Sequence, residues 1–218
     1  TALISMHEHN EDRQIAGLLE RLRDGAAIAL VSDAGTPLIS DPGYGLIHAA
    51  AAAGVPLSPI PGPCAAIAAL SVSGLPTDRF VFEGFLPARS AARHAHLQGL
   101  AREPRTIVFY ESPRRMVDVL SDCADVLGVD RAACVGREVT KRFETFYRGT
   151  LGELRTAIGA QSEPLRGECV LIVAGAATEP ALGDAVEADR MLIDLVGQLP
   201  ASQGARLMDR WFGGGRAH

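Results

Sequence analysis

Short, uninterrupted apolar runs alternate with amphipathic stretches along most of this chain, and that alternation predicts an α/β fold. The clearest run is 26–31 (AAIALV), which reads as a strand buried on both faces and empties into a loop rich in Gly, Pro and Asp. Residues 44–53 then read as a helix stopped by Gly54, 55–60 as a second buried strand, and Pro61-Gly62-Pro63-Cys64 as a second small-residue loop. An Ala-rich helix over 64–72 follows, with side chains small enough to pack closely on a sheet. Upstream, residues 1–6 (TALISM) read as a strand, and Asn10 as N-cap of an amphipathic helix over 11–24 with Ile15, Leu18, Leu19 and Leu22 on one face.

The second half continues the pattern with strand 80–85, helix 91–102, strand 106–110, a helix over 113–127 capped by Ser112, and strand 132–135. Residues 142–148 (RFETFYR) alternate as a half-exposed strand would, 151–158 read as a helix, and 169–174 (CVLIVA) as another buried strand. This order predicts mixed strand directions. Residues 176–188 read as a small acidic linker, and 191–211 as a helix pair broken at Leu199-Pro200. The Leu86-Pro87-Ala88-Arg89-Ser90 loop reads as a boundary, so the expected division is 1–86, 87–176 and a C-terminal helical segment over 177–218.

Composition narrows the class. No run of 18 apolar residues or signal-peptide pattern occurs, and the expected setting is cytoplasmic, with four widely spaced cysteines as reduced thiols. His7 and His9 lack a third ligand nearby in sequence, and no metal is expected. The net charge of −5 argues against a generic nucleic-acid binder. Basic residues nevertheless outnumber acidic ones 13 to 11 over 86–175, against 4 to 9 over 1–85. A phosphate-rich partner should therefore meet the middle segment. Lys141 is the single lysine in an arginine-biased chain.

Three polar clusters fall at expected strand ends, the edge where open α/β sheets bind ligands. They are Ser32, Asp33, Gly35, Thr36, Ser40 and Asp41; Glu111-Ser112-Pro113-Arg114-Arg115; and the charged hexad 137–142. Nucleophile-elbow, zinc-protease, P-loop and dinucleotide fingerprints are all missing. The residues alone therefore support a small-molecule site between two α/β domains.

Five blocks carry more. VSDAGTPLISDPGYGLI, IPGPCAAIAALSVSGLPTDRFVFEGFLP, IVFYESPRRM, REVTKRFETFYRGTLGEL and RGECVLIVAG, in that order, closely resemble the ribosomal RNA small subunit methyltransferase I family of the tetrapyrrole-methylase superfamily. The resemblance implies two α/β domains with S-adenosylmethionine in the cleft between them, a homodimer, and 2′-O-methylation of a cytidine ribose in the decoding region of 16S rRNA within the small subunit. It places Gly35-Thr36-Pro37, Ile39, Pro61-Gly62, Cys64 and Ala65 against the cofactor, with Thr36 where the superfamily carries an acidic residue. Glu111, Lys141 and Glu144 become candidates to orient or deprotonate the hydroxyl, and Arg114, Arg115, Arg137 and Arg142 to hold RNA phosphates. Family members begin with an earlier strand, a Pro-Ile-Gly-Asn loop and a further βα unit. The expectation is therefore a first domain lacking its first βα unit, with an open sheet edge. The rival readings are a tetrapyrrole or other small-molecule methyltransferase and a non-catalytic RNA- or cofactor-binding protein.

Overall fold

The computed structural model describes residues 2–7, 10–161 and 165–177, together with Arg190 and Gln203. Its strands are β1 (Phe80–Phe85), β2 (Thr106–Glu111), β3 (Ala132–Arg137), β4 (Thr145–Thr150) and β5 (Cys169–Val173). They form one sheet in the order β1-β2-β5-β3-β4. Only the β1–β2 pair is parallel, which bears out the mixed directions expected from sequence. The most continuous apolar runs, β2 and β5, take inner positions and are almost wholly buried, whereas the edge strands β1 and β4 are partly exposed.

The helices are α1 (Glu11–Arg23), α2 (Tyr44–Ala52), α3 (Ala65–Val72), α4 (Ser90–Leu100), α5 (Met116–Leu127) and α6 (Leu151–Gly159). Side chains alternate across a strand, so each face of the sheet builds its own core. On one face Ile107, Phe109, Val135, Leu171 and Val173 pack against Leu97 of α4, Val119 and Leu120 of α5, and Leu154 of α6. On the other, Val108, Cys134 and Ile172 meet Ala66, Ala69 and Leu70 of α3, whose alanines allow the close approach. A fully buried ring such as Phe109 is worth about 3–5 kcal/mol against alanine at such a position.

Register matters most for the site. Glu111 lies opposite Cys169, Cys169 opposite Arg137, and Arg137 opposite Thr145, so one row of residues crosses four strands at a single end of the sheet. Chemistry-bearing groups from separate parts of the sequence are thereby brought to one edge.

Local chemistry fixes several element ends. Thr150 and Glu153 form a reciprocal capping box at the start of α6. Two expected caps differ. The Asn10 side chain turns back, accepting from the His7 N–H at 2.8 Å and donating to the Ser5 carbonyl at 3.0 Å, so it does not cap α1. Ser112 gives no side-chain cap either. Its own N–H is taken by Glu111 Oε1 at 2.7 Å, and Pro113–Arg115 forms a 3₁₀ turn before α5 begins at Met116.

Three expected strands are not formed. Residues 2–6, 26–31 and 55–60 make no ladder among the described residues, and Val31 and Ile60 are 76% and 88% exposed rather than buried on both faces. An apolar run encodes a preference for the pleated conformation, but a strand exists only where a neighbour accepts its N–H and C=O groups. Expected strand 142–148 begins later, at Thr145, because 138–144 is folded into two turns. Residues Thr1–Ala176 form one compact unit and Ala177–His218 another; the expected 86/87 boundary falls inside the first. The expected linker over 176–188, apart from Ala176 and Ala177, and the expected helix pair over 191–211, apart from the helical Gln203, lie outside the described residues.

Candidate active site

The site begins with two loops held together by one side chain. In the loop over 32–41, Gly35 adopts φ +76°, as glycine does without penalty, and Leu38 and Ser40 adopt left-handed values of 72° and 57°. Two non-glycine residues in that region cost about 1–3 kcal/mol each, which the surrounding contacts must offset. The Thr36 hydroxyl donates to the Pro63 carbonyl at 3.0 Å, fixing this loop against the one that leads into α3. Behind them, Glu11 at the start of α1 accepts the N–H groups of Gly43 and Gly45, at 3.1 and 2.7 Å, and so places a carboxylate on the N-terminus of α2.

These loops form one wall of a cavity of about 450 Å³. Asp33, Gly35, Thr36, Ile39, Pro63 and Ala65 line that wall. Phe85, Tyr110, Glu111 and Cys169 line the sheet edge, and Val139, Thr140, Lys141 and Glu168 the far side. Of the residues expected from sequence, Gly35, Thr36, Ile39, Ala65, Glu111 and Lys141 are therefore together on the walls. Pro37, Pro61, Gly62 and Cys64 lie in the same two loops but not on the lining.

Glu111 is the most constrained polar group there. It is 2% exposed; Oε1 accepts from Ser112, while Oε2 has no hydrogen-bond partner and stands 3.3 Å from Arg115 Nη2. Burial raises its pKa above the ordinary 4.5, against the lowering effect of the Ser112 N–H and the Arg115 charge. Arg115 itself is engaged by the protein, donating to the carbonyls of Leu86 and Pro87 at 2.8 and 3.0 Å.

On the far side, Lys141 Nζ lies 2.7 Å from Glu168 Oε2 and 3.2 Å from Glu138 Oε1. The hydrogen bond that Lys141 donates to Glu168 chiefly raises the Lys141 pKa, so this side chain stays an ammonium. Glu138 is held low, first by the backbone N–H of Glu168 and then by Lys141. Glu144 is off the lining, and its Oε2 accepts the Thr140 N–H at 2.7 Å within the loop. Arg137 Nε donates to the Arg166 carbonyl at 2.7 Å, whereas Arg114 and Arg142 are exposed.

Sequence reasoning missed Tyr110, Phe85, Val139 and Glu168. Tyr110 reads as the last residue of an apolar run, yet its hydroxyl accepts the Ala66 N–H at 3.3 Å and its ring meets Phe82 edge-on at 5.0 Å. Burial is the main reason its pKa is pushed up to about 12, so it remains a neutral phenol. Glu168 carried one usable signal, a carboxylate immediately before a buried strand. Among the described residues no cluster of three or more His, Cys, Asp or Glu could hold a metal ion, and no helix is long and apolar enough to cross a membrane.

Comparison with known proteins identifies the family. The family model for tetrapyrrole (corrin/porphyrin) methylases matches residues 3–155. Ribosomal RNA small subunit methyltransferase I of Pseudomonas aeruginosa is 48% identical over 208 residues, covering 95% of this chain and 74% of that protein. The Xylella fastidiosa protein of the same name is 50% identical over 205 residues, covering 94% and 75%, and that of Escherichia coli O157:H7 47% identical over 207, covering 94% and 71%. Among solved structures, the methyltransferase CobJ has a TM-score of 0.55 at 23% identity, covering 76% of this chain and 72% of that one. The cobalt precorrin-4 methyltransferase CbiF has 0.52 at 18%, covering 75% and 70%. At that identity the two structures show the fold alone. With the family model spanning most of the compact unit and the curated relatives nearly half identical over almost the whole chain, this protein belongs to the ribosomal RNA small subunit methyltransferase I family of tetrapyrrole methylases.

Proposed function

We propose that this chain transfers a methyl group from S-adenosylmethionine to the 2′-hydroxyl of a cytidine ribose in the decoding region of 16S rRNA, acting as a cytoplasmic homodimer on the small subunit. The observation that carries the reading is a buried carboxylate, Glu111, which lines a cavity shared with two small-residue loops and whose Oε2 is ion-paired with Arg115 but accepts no hydrogen bond. The relatives' names supply the RNA.

The residues present fit the cofactor. Asp33, Asp41, Glu111 and Glu168 face Lys141 as the charged groups of the lining, an acidic excess suited to a cationic sulfonium. Ile39, Phe85 and Val139 offer apolar surface for a flat base, and Gly35 and Ala65 leave backbone open to close approach. When bound, the cofactor supplies an electrophilic methyl carbon and leaves as a neutral thioether.

The protein's work is then positioning and proton removal. The raised pKa of Glu111 makes it a better proton acceptor than an exposed carboxylate, and Oε2, which is ion-paired with Arg115 but accepts no hydrogen bond, is the oxygen we assign to the 2′-hydroxyl proton. Lys141, held as an ammonium, serves as a hydrogen-bond donor and not as a base. Arg114 and Arg142 are the exposed cations for RNA phosphates. Incubating the protein with methyl-labelled cofactor and small subunits lacking the modification tests the proposal. Label in 16S rRNA is the expected result; cofactor binding without label in RNA would overturn it.

A further inference from the structure

We infer that Phe143 is a stacking platform for an unpaired base of the RNA substrate, held beside the cavity by a preformed double turn; the inference rests on the RNA reading above. Glu138 and Lys141 close the first turn, the Lys141 N–H donating to the Glu138 carbonyl at 2.9 Å. Lys141 and Glu144 close the second, at 3.2 Å, with Arg142 and Phe143 as its two central residues. A turn of this kind pushes its central side chains outward. Phe143 is accordingly 62% exposed, and the Arg142 guanidinium lies over its ring, 5.5 Å from the centroid.

Three features separate this ring from an ordinary exposed apolar residue. First, the segment is ordered from both sides: Glu144 accepts the Thr140 N–H, the Thr145 hydroxyl donates to the Phe143 carbonyl at 3.2 Å, and Lys141 is clamped by Glu138 and Glu168. Second, Glu138 and Thr140 hold left-handed φ values of 51° and 65°, a conformation that costs free energy in a residue with a Cβ. Third, Thr140 and Lys141 line the cavity, so the ring stands two residues from its wall. An aromatic face flanked by a guanidinium is the surface on which splayed-out bases stack, and stacking tolerates any base while orienting its neighbour. Phe143 would thus hold the nucleotide next to the reactive cytidine and add to the binding of the RNA without touching the reacting atoms.

The test compares Phe143→Ala, Phe143→Leu and Phe143→Tyr in methyl transfer to small subunits lacking the modification. The expected result is a KM for the subunits raised about tenfold in the alanine and leucine variants, near-normal KM in the tyrosine variant, and unchanged kcat and cofactor affinity in all three. A second readout places the only tryptophan at this site, using Phe143→Trp in a Trp211→Phe background. Its fluorescence should be quenched by single-stranded RNA. Equal KM in the alanine variant, or a leucine variant as good as the tyrosine one, would overturn the stacking role. So would dissociation of a dimer in Phe143→Ala, which would make the ring an interface residue. Failure of the parent protein to label RNA at all would instead count against the functional reading.

Discussion

The Thr36 hydroxyl donates to the Pro63 carbonyl at 3.0 Å, joining two loops 27 residues apart in sequence into one cavity wall. A neutral hydrogen bond of this kind contributes about 0.5–1.5 kcal/mol net. Thr36→Val should therefore weaken S-adenosylmethionine binding by about two- to tenfold in a calorimetric titration, because the wall loses its registration. Thr36→Ser keeps the donor and should bind like the parent.

Glu11 anchors the same region from behind by accepting two N–H groups at the start of α2. Hydrogen bonds to a charged acceptor are worth about 1.5–3 kcal/mol, and the helix N-terminus adds to them. Glu11→Ala should lower stability by about 2–3 kcal/mol in urea unfolding. Glu11→Gln, which keeps one acceptor oxygen, should lose about half of that.

Stability should depend on pH through Glu111. Burial raises its folded pKa above the ordinary 4.5, so the folded state binds the proton more tightly than the unfolded chain does. The associated stability is present below 4.5 and is lost as pH rises through the folded value. Glu111→Gln removes this cost of ionising a buried carboxylate. Its melting temperature should exceed the parent's at pH 8, by about 2–4 °C per kcal/mol relieved, with the gap closing toward pH 4.5. A gap of the same size at both pH values would show that ionisation of Glu111 is not the cause.

Glu168 fixes Lys141 at 2.7 Å, but the pair is substantially exposed, and such pairs contribute about 0–1 kcal/mol to folding. Glu168→Gln should accordingly shift the melting temperature by under about 3 °C while reducing methyl transfer several-fold, since Lys141 loses its fixed position on the cavity wall. Equal loss of both would indicate a purely structural pair.

These residues also show how far the chain could be read without coordinates. β2 and β5 were legible because their apolar runs are buried on both sides, and α6 forms where a helix over 151–158 was expected. Residues 26–31 carry the same apolar character, yet they make no ladder among the described residues, because composition specifies a conformation and not its partner, and in 55–60 Pro56 and Pro59 also lack the N–H that a ladder needs. The loops around Thr36 and Ala65 were found through their glycines and prolines. Glu168 and Tyr110 were not, since their roles depend on register: Glu111 opposite Cys169 is a long-range pairing that no local spacing encodes. The turns at 138–144 escaped for a related reason. Residues 142–148 alternate like a strand, and only Glu138 and Thr140 in left-handed conformations redirect the chain.

The most direct test of the account is nucleoside mass spectrometry of 16S rRNA after reaction with the parent protein and with Glu111→Gln, each first shown by calorimetry to bind S-adenosylmethionine. The account predicts 2′-O-methylcytidine from the parent and a loss of about a hundredfold or more in rate for the variant, the usual range for removing a general base. A methyl group on the base instead of the ribose, or full activity in Glu111→Gln, would contradict it.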